Sequence, residues 1–141
     1  MSNNVFPLPT AETQPCALCG EHAAQLSFQD EHFLYGSGQD EVTLTAHVPV
    51  WTCYACKGQY TGSEAEDIRH AAICSHLNRL TPSEVRRIRE QYGLSQQEWS
   101  RRTGFGIASI KRWETGNLIQ NESADRYMRL LINADIFLRL S

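Results

Sequence analysis

The stretch SQQEWSRRTGFGIASIKRWETG, Ser95–Gly116, predicts two short helices joined by a tight turn. Its opening serine and Glu98 form a capping box, in which each side chain accepts a backbone N–H of the other, so a helix begins here. Gly104 ends that helix, because glycine readily adopts the left-handed conformation of a C-terminal cap. A second helix is predicted over Gly106–Trp113, stopping before the final glycine of the stretch.

The second helix has one apolar edge and one basic edge. Ile110 and Trp113 are three residues apart and therefore share the inward side. A short helix with a basic outward edge suits the reading of a DNA major groove, so the pair is predicted to be a helix-turn-helix. The outward side and its flanks comprise Ile107, Ala108, Ser109, Lys111 and Arg112.

Charge divides the chain of 141 residues into two unlike parts. Residues 1–76 carry two basic and nine acidic side chains, a balance of −7, whereas residues 77–141 carry eleven basic and seven acidic ones, a balance of +4. Such asymmetry indicates a different partner for each part. The basic part contains the helix-turn-helix, which favours double-stranded DNA as its partner.

The N-terminal segment and the hydropathy of the chain bear on its location. Residues 1–15 contain three prolines and no periodic pattern, so a flexible tail is expected there. No apolar run approaches the ~18 residues of a membrane span, and the first residues lack a signal-peptide core. A cytoplasmic protein without membrane association is expected.

Two cysteine pairs of identical spacing are separated by 33 residues. Cys16 and Cys19 form the first CxxC pair, Cys53 and Cys56 form the second, and a glycine follows each closely. One tight turn presents two thiolates to the same ion, so two pairs supply the four sulfur ligands of a tetrahedral zinc. Four thiolates leave no open coordination position, and the predicted zinc is therefore structural and not hydrolytic.

Three other uses of the paired cysteines compete with zinc. Disulfides are not expected in a cytosolic chain, and a thioredoxin-like redox pair requires a βαβ context that the sequence lacks. Iron also accepts four thiolates, so the spacing alone leaves an iron site open. A second metal site at His70, Cys74 and His76 is conceivable, but a cysteine among apolar neighbours is typical of a small buried side chain.

The residues between and after the cysteine pairs predict a small antiparallel sheet and a helix. Strand patterns occur over three segments: Gln25–Phe28, Glu31–Tyr35 and Glu41–Trp51. A helix follows from Ser63 to about Asn78. The predicted fold class is thus α+β, with a zinc-stapled β domain over residues 16–78 and an all-α helix-turn-helix domain over residues 79–141.

The C-terminal part supplies a further helix start and an apolar end. Thr81, Pro82 and Glu84 form a strong N-terminal signal, with a capping threonine and a proline at the first helical position. Another helix is predicted over Ser123–Asn133. The last residues offer enough apolar surface for a homodimer interface, although the same residues could instead complete the helical core. The interface candidates are Tyr127, Leu131, Ile136 and Phe137.

Leu94–Gly116 resembles the XRE/Cro-like helix-turn-helix, whose hallmark is a Ser/Thr-Gln-x-x-apolar start and a Trp/Tyr-Glu-x-Gly finish. A CxxCG…CxxC zinc domain before such a module resembles MqsA-type antitoxins, also described as YgiT-type zinc-finger/helix-turn-helix proteins. The resemblance extends over about residues 16–135. The order of the two motifs in one chain is more specific than either motif alone.

The resemblance implies an antitoxin of a bacterial type II toxin–antitoxin pair, which is not an enzyme. Such a protein neutralises a partner toxin, typically an mRNA-cleaving ribonuclease, and represses its own operon by binding operator DNA as a dimer. The four cysteines of the two pairs correspond to the ligands of a structural zinc that belongs to the toxin-binding domain. Arg112 corresponds to the base-reading arginine, and Gln96 to a glutamine that contacts DNA in the wider group. Gln97 is expected to assist beside it.

One departure from the family pattern changes the expected operator. Ala108 stands where the best-known members carry an asparagine, and alanine can touch a thymine methyl but cannot pair bidentately with adenine. The N-terminal tail is also longer than expected. The main alternative is a stand-alone zinc-containing XRE-type transcriptional regulator without a toxin partner. An enzyme is not expected, because the sequence holds no HExxH motif, phosphate loop or nucleophile–base arrangement.

Overall fold

The computed structural model describes residues 13–140, and the chain divides into two compact units between Arg69 and His70. The strands are β1 (Thr13–Gln14), β2 (Ala24–Tyr35), β3 (Val42–Cys53) and β4 (Gln59–Tyr60). The helices are α1 (Ser63–Leu77), α2 (Pro82–Glu90), α3 (Gln96–Thr103), α4 (Ile107–Thr115), α5 (Glu122–Leu130) and α6 (Ala134–Phe137). The predicted α+β class is confirmed, with an antiparallel sheet followed by helices.

The first unit is a four-stranded antiparallel sheet in the order β1-β2-β3-β4. β2 and β3 pair over twelve residues, from Ala24 opposite Cys53 to Tyr35 opposite Val42. The sequence predicted two separate pieces in place of β2. That prediction was wrong, because the pairing with β3 continues through Gln29 and Asp30, which lack a strand pattern of their own.

One face of this sheet supplies the larger apolar part of the core of the first unit, and a smaller buried cluster lies at the cysteine end. Ala46, Val48 and Val50 alternate along β3 and pack against Ala65 of α1, with Ile68 and other partly buried apolar side chains around them. Pro49 lies between them in sequence, at a point where β4 no longer pairs with β3. The outer edge of β3 is therefore open there, which tolerates a residue without an N–H.

The two predicted boundaries of the first unit differ from the structure. Thr13 and Gln14, which the sequence analysis put in the tail, pair with β2; residues 1–12 of the tail lie outside the described part. The division between the units falls inside α1, whereas the sequence put the boundary after residue 78. In the second unit Leu80 is buried and its N–H donates to Asp125 Oδ1 at 2.7 Å, so the segment next to residue 78 is fixed to α5.

The second unit is a helical bundle whose helix ends follow the predicted capping signals. Thr81 caps α2 and Ser95 caps α3, each in a reciprocal capping box with the glutamate three residues later. Its buried core is a single apolar cluster: Leu80, Val85, Ile88, Trp99, Ile110, Trp113, Ala124, Met128, Leu131 and Phe137. No helix within residues 13–140 is long and apolar enough to cross a membrane.

Candidate metal centre and nucleic-acid interface

The four predicted cysteine ligands lie together in the first unit. Cys16 and Cys19 lie in the turn between β1 and β2, whereas Cys53 ends β3 and Cys56 follows in the next turn. Because Ala24 pairs with Cys53, the sheet register brings the two turns to one end of the sheet. All four Sγ atoms lie within 4.8 Å of one another. Cys16 and Cys53 are buried, and the other two are exposed.

Backbone N–H groups point at sulfur in the same way in both turns. Cys16 Sγ accepts from the N–H groups of Leu18 and Cys19 at 3.2 and 3.4 Å. Cys53 Sγ accepts from those of Ala55 and Cys56 at 3.3 and 3.5 Å. N–H donors stabilise thiolates, so both turns are suited to holding negatively charged sulfur.

Glycine serves a different purpose in each turn. Gly20 has a φ of +83°, a conformation that glycine adopts readily and that lets the first turn fold back. The equivalent position of the second turn is Lys57, which takes a φ of +67° itself. Gly58 is needed for space, because a Cβ there would lie 2.5 Å from Leu18 Cδ1 and 3.3 Å from Cys56 Sγ.

The clustered thiols perturb one another's protonation. Burial opposes ionisation of Cys16, but hydrogen bonds from the N–H groups of Cys19 and Leu18 outweigh it and lower the pKa of the Cys16 thiol to about 7. A backbone hydrogen bond at Glu21 favours ionisation of Cys19, but burial and the neighbouring thiols raise the pKa of Cys19 to about 12. Protons therefore compete with any cation for the sulfur atoms.

This donor set fits one metal ion. Four sulfur atoms lie close enough to bind the same ion, and each of the two buried ones accepts hydrogen bonds from two backbone N–H groups of its own turn. This arrangement matches a tetrahedral thiolate site with no vacant position. Within residues 13–140 no other group of three histidine, cysteine or acidic side chains is arranged for a metal. His70, Cys74 and His76 accordingly do not come together, and Cys74 is 1% exposed inside the second unit.

The predicted helix-turn-helix corresponds to α3 and α4. Gly104 caps α3 with a φ of +86°, and Gly116 caps α4 with a φ of +83°. Ile110 and Trp113 point into the core with 1% and 7% exposure. Phe105, in the turn between the helices, meets the Trp113 ring edge-on at a centroid distance of 5.0 Å. These contacts fix α4 against α3.

The opposite side of α4 is open, as predicted. Ala108, Lys111 and Arg112 are exposed, and Ile107 and Ser109 on the flanks are half-buried. Neither Lys111 nor Arg112 forms an ion pair with another described residue. The helix therefore presents two cationic side chains to solvent.

The start of α3 is tied to α4 by a buried carboxylate that the sequence analysis left without a role. Gln97 is exposed, whereas Gln96 is half-buried and donates from Nε2 to Glu114 Oε1 at 3.1 Å. Glu114 is 4% exposed and also accepts two hydrogen bonds from Arg89, each at 2.8 Å. In the sequence this buried carboxylate is visible only as the glutamate of the WETG finish, a hallmark of the helix-turn-helix family.

The four dimer candidates serve the core of the second unit. Leu131 and Phe137 are 0% and 5% exposed, and Tyr127 donates its hydroxyl to Thr103 O at 3.1 Å. Ile136 packs against the same core. The burial of Leu131 and Phe137 favours the alternative that these residues complete the helical core, and their part in a dimer interface stays a prediction. The exposed apolar side chains of this region are Leu130, Ile132 and Leu138, at 56%, 49% and 73%.

Comparison with known proteins adds one match. A family model described as "Antitoxin component of bacterial toxin-antitoxin system, MqsA" matches residues 14–136. The matched range contains both cysteine pairs and all of α3 and α4. No curated protein matches the chain.

Proposed function

The chain belongs to the MqsA antitoxin family, and from this we propose that it neutralises a partner ribonuclease toxin and represses its own operon by binding operator DNA as a dimer. One observation carries the proposal: a four-cysteine cluster and a recognition-type helix with a free basic edge occur in one chain. The family description supplies the toxin. The exposed basic edge of α4 supports the proposal that the helical unit reads DNA.

DNA reading is assigned to the open side of α4. The Arg112 guanidinium pairs bidentately with guanine O6 and N7, which is worth about 1–3 kcal/mol of discrimination against other bases. Ala108 and Ile107 offer methyl groups to thymine. Ser109 and Lys111 contact groove edges or phosphates and so fix the register.

The start of α3 completes the interface. Gln97 is exposed for a phosphate contact, and Gln96 is oriented by its hydrogen bond to Glu114. The N-terminal N–H groups of a helix also attract phosphate. The second unit carries eleven basic and seven acidic side chains, which favours a polyanion.

A homodimer positions two copies of α4 on one DNA face. Recognition helices related by two-fold symmetry are spaced by one turn of DNA, about 34 Å, so each copy reads one half-site of a palindrome. We assign the interface to the exposed apolar side chains at the end of the second unit, Leu130, Ile132 and Leu138, in place of the buried candidates.

Zinc is the proposed ion of the cysteine cluster, held by Cys16, Cys19, Cys53 and Cys56. Zn²⁺ bound to four thiolates contributes a net charge of about −2, and the ion itself has no redox chemistry. Its role is structural: it ties the turn before β2 to the turn after β3. Such a staple stabilises a small unit whose apolar core consists of two small clusters.

The acidic first unit is the proposed docking domain for the toxin. Residues 1–69 carry nine acidic and two basic side chains, which repels DNA and attracts a basic protein. A ribonuclease must hold a polyanionic substrate and therefore exposes positive charge. An acidic antitoxin domain can occupy or approach that surface and so prevent RNA binding.

Co-expression tests the proposal and separates it from a stand-alone regulator. The small basic protein encoded beside this chain should co-purify with it and arrest growth when expressed alone. Co-expression of the full chain should restore growth. A neighbour that is neither bound nor toxic, combined with tight operator binding, would identify a stand-alone regulator and refute the antitoxin assignment.

A further inference from the structure

The β2–β3 hairpin has one covered face and one open face. Val48 and its neighbours on one face pack against α1. The other face, which we call the outer sheet face, carries the exposed side chains of Leu26, Phe28, Leu34 and His47. Two further residues of this face are covered: Pro49 is buried, and Trp51 packs against the buried cluster at the cysteine end of the sheet. Leu26, Phe28 and Leu34 are 36%, 53% and 65% exposed. Large apolar side chains that are exposed on the same face of a sheet indicate an interaction surface.

Four polar side chains on the outer sheet face are paired with one another. His47 Nδ1 lies 2.8 Å from Asp30 Oδ1, and its ring stacks on the Phe28 ring at a centroid distance of 5.6 Å. His32 Nδ1 lies 2.9 Å from Thr45 Oγ1. The aromatic ring of Phe28 is thereby held in place before any partner arrives. Preorganised aromatic side chains make strong contact points, because little conformational entropy is lost on binding.

Charge decides between protein and nucleic acid as the occupant. An exposed aromatic sheet face can stack the bases of single-stranded RNA. Residues 1–69, however, have a balance of −7, and Arg69, one of their two cations, is engaged by Glu31 and Glu66. Phosphates are therefore repelled, whereas a cationic protein is attracted.

We propose that the outer sheet face is the surface that docks the basic toxin, with Phe28 and Leu34 as the apolar anchors and the net negative charge of the first unit as the long-range attraction. The inference rests on the proposed function and adds to it the location of the interface. It also separates the two activities of the chain, since no residue of the outer sheet face belongs to the helical unit.

The test is titration calorimetry of the full chain with the purified toxin encoded beside it. The Phe28→Thr, Leu34→Thr double variant retains side chains suited to a strand but removes the apolar anchors. Its Kd for the toxin should rise by about tenfold or more, as for hot-spot residues in other interfaces. The matched control is Gln29→Thr, on the same strand but on the opposite face, which should leave the Kd unchanged. Operator affinity and bound zinc should be those of the wild type in both variants, which shows that they fold.

The outcomes separate the two claims. If the wild-type chain does not bind the toxin, the proposed function fails; if it binds and the double variant binds equally well, only the surface assignment fails. Binding of oligouridine by the wild type and not by the double variant would make the face an RNA site and overturn the proposal. Loss of self-association in the double variant, measured by analytical ultracentrifugation, would also overturn the proposal. So would a result in which deletion of residues 1–12 raises the affinity for the toxin and abolishes the effect of the substitutions. Those results would identify a second copy or the chain's own N-terminal segment as the occupant.

Discussion

Arg89 on α2 and Glu114 on α4 form a buried, doubly hydrogen-bonded ion pair, with both N–O distances at 2.8 Å. The same guanidinium donates to Leu94 O at 2.8 Å, just before α3 begins. Gln96 of α3 donates to the same carboxylate. One ion pair therefore links the helix before the helix-turn-helix to both of its helices, and the orientation of α4 depends on it.

Removal of the Glu114 carboxylate should strongly destabilise the helical unit. Glu114→Ala leaves Arg89 charged and poorly solvated, and the loss of one partner of a buried pair costs about 3–5 kcal/mol. Urea unfolding followed by tryptophan fluorescence measures this change in the free energy of unfolding. Glu122→Ala is the control, because its pair with Arg126 is exposed and worth about 0–1 kcal/mol. Equal effects of the two substitutions would contradict the structural role of Glu114.

Arg112→Ala should weaken operator binding without unfolding the protein. Arg112 is exposed and pairs with no acidic side chain among the described residues, so its loss should change the free energy of unfolding little. Operator affinity should fall by about ten- to a hundredfold, as expected for one bidentate base contact. A mobility-shift assay with Arg139→Ala as a charge-matched control measures this. Unchanged affinity for Arg112→Ala would exclude this residue from base reading.

Features that depend on neighbours in sequence were predictable. A capping box needs only two residues three positions apart, and the boxes that begin α2 and α3 are formed as expected. Each CxxC pair also follows from local spacing, because each turn orients its sulfur atoms by itself, whereas the meeting of the two pairs depends on the register of β2 and β3. The inward side of α4 followed from the i, i+3 spacing of its apolar residues.

Features that depend on distant partners were not predictable. β2 is continuous because β3 pairs with it, whereas Gln29 and Asp30 do not have the residue pattern of a strand. Glu114 becomes buried only because Arg89 lies opposite, 25 residues earlier in the chain. Among the consecutive apolar residues that end α5, only the packing reveals that Leu131 is buried while Leu130 and Ile132 are exposed.

Substitution in the cysteine cluster should remove the bound metal. The wild type should contain one zinc per chain by mass spectrometry, and Cys53→Ala should contain none after dialysis against a weak chelator. Cys74→Ala is the control, because this fifth cysteine is buried outside the cluster and should leave the zinc content unchanged. Zinc affinity should fall as pH is lowered, because the thiols, including Cys19 with its pKa raised to about 12, must lose protons to bind. Iron in the purified protein, or zinc retained by Cys53→Ala, would contradict the assignment.

The acid sensitivity of the helical unit should depend on Asp125, which is 3% exposed on α5. Burial alone would raise the pKa of this carboxyl. The hydrogen bonds from the Leu80 N–H at 2.7 Å, from Arg129 at 2.7 Å and from Gln120 at 2.9 Å outweigh burial. The pKa of Asp125 in the folded protein is therefore lower than its ordinary value.

A group whose pKa is lowered by folding stabilises the protein above its unfolded pKa, about 3.9 for aspartate, and this contribution is lost as pH falls through the folded pKa. Asp125→Asn should thus be less stable than the wild type near pH 7, because the uncharged amide places an NH₂ group or a weaker acceptor opposite Arg129 and the Leu80 N–H. The difference in the free energy of unfolding between the two proteins should remain constant down to about pH 4 and shrink below it. Urea unfolding at a series of pH values measures that difference, in which the contributions of other carboxylates cancel. If the difference stayed constant through pH 2–4, the ionised form of Asp125 would not be the form that the folded state stabilises.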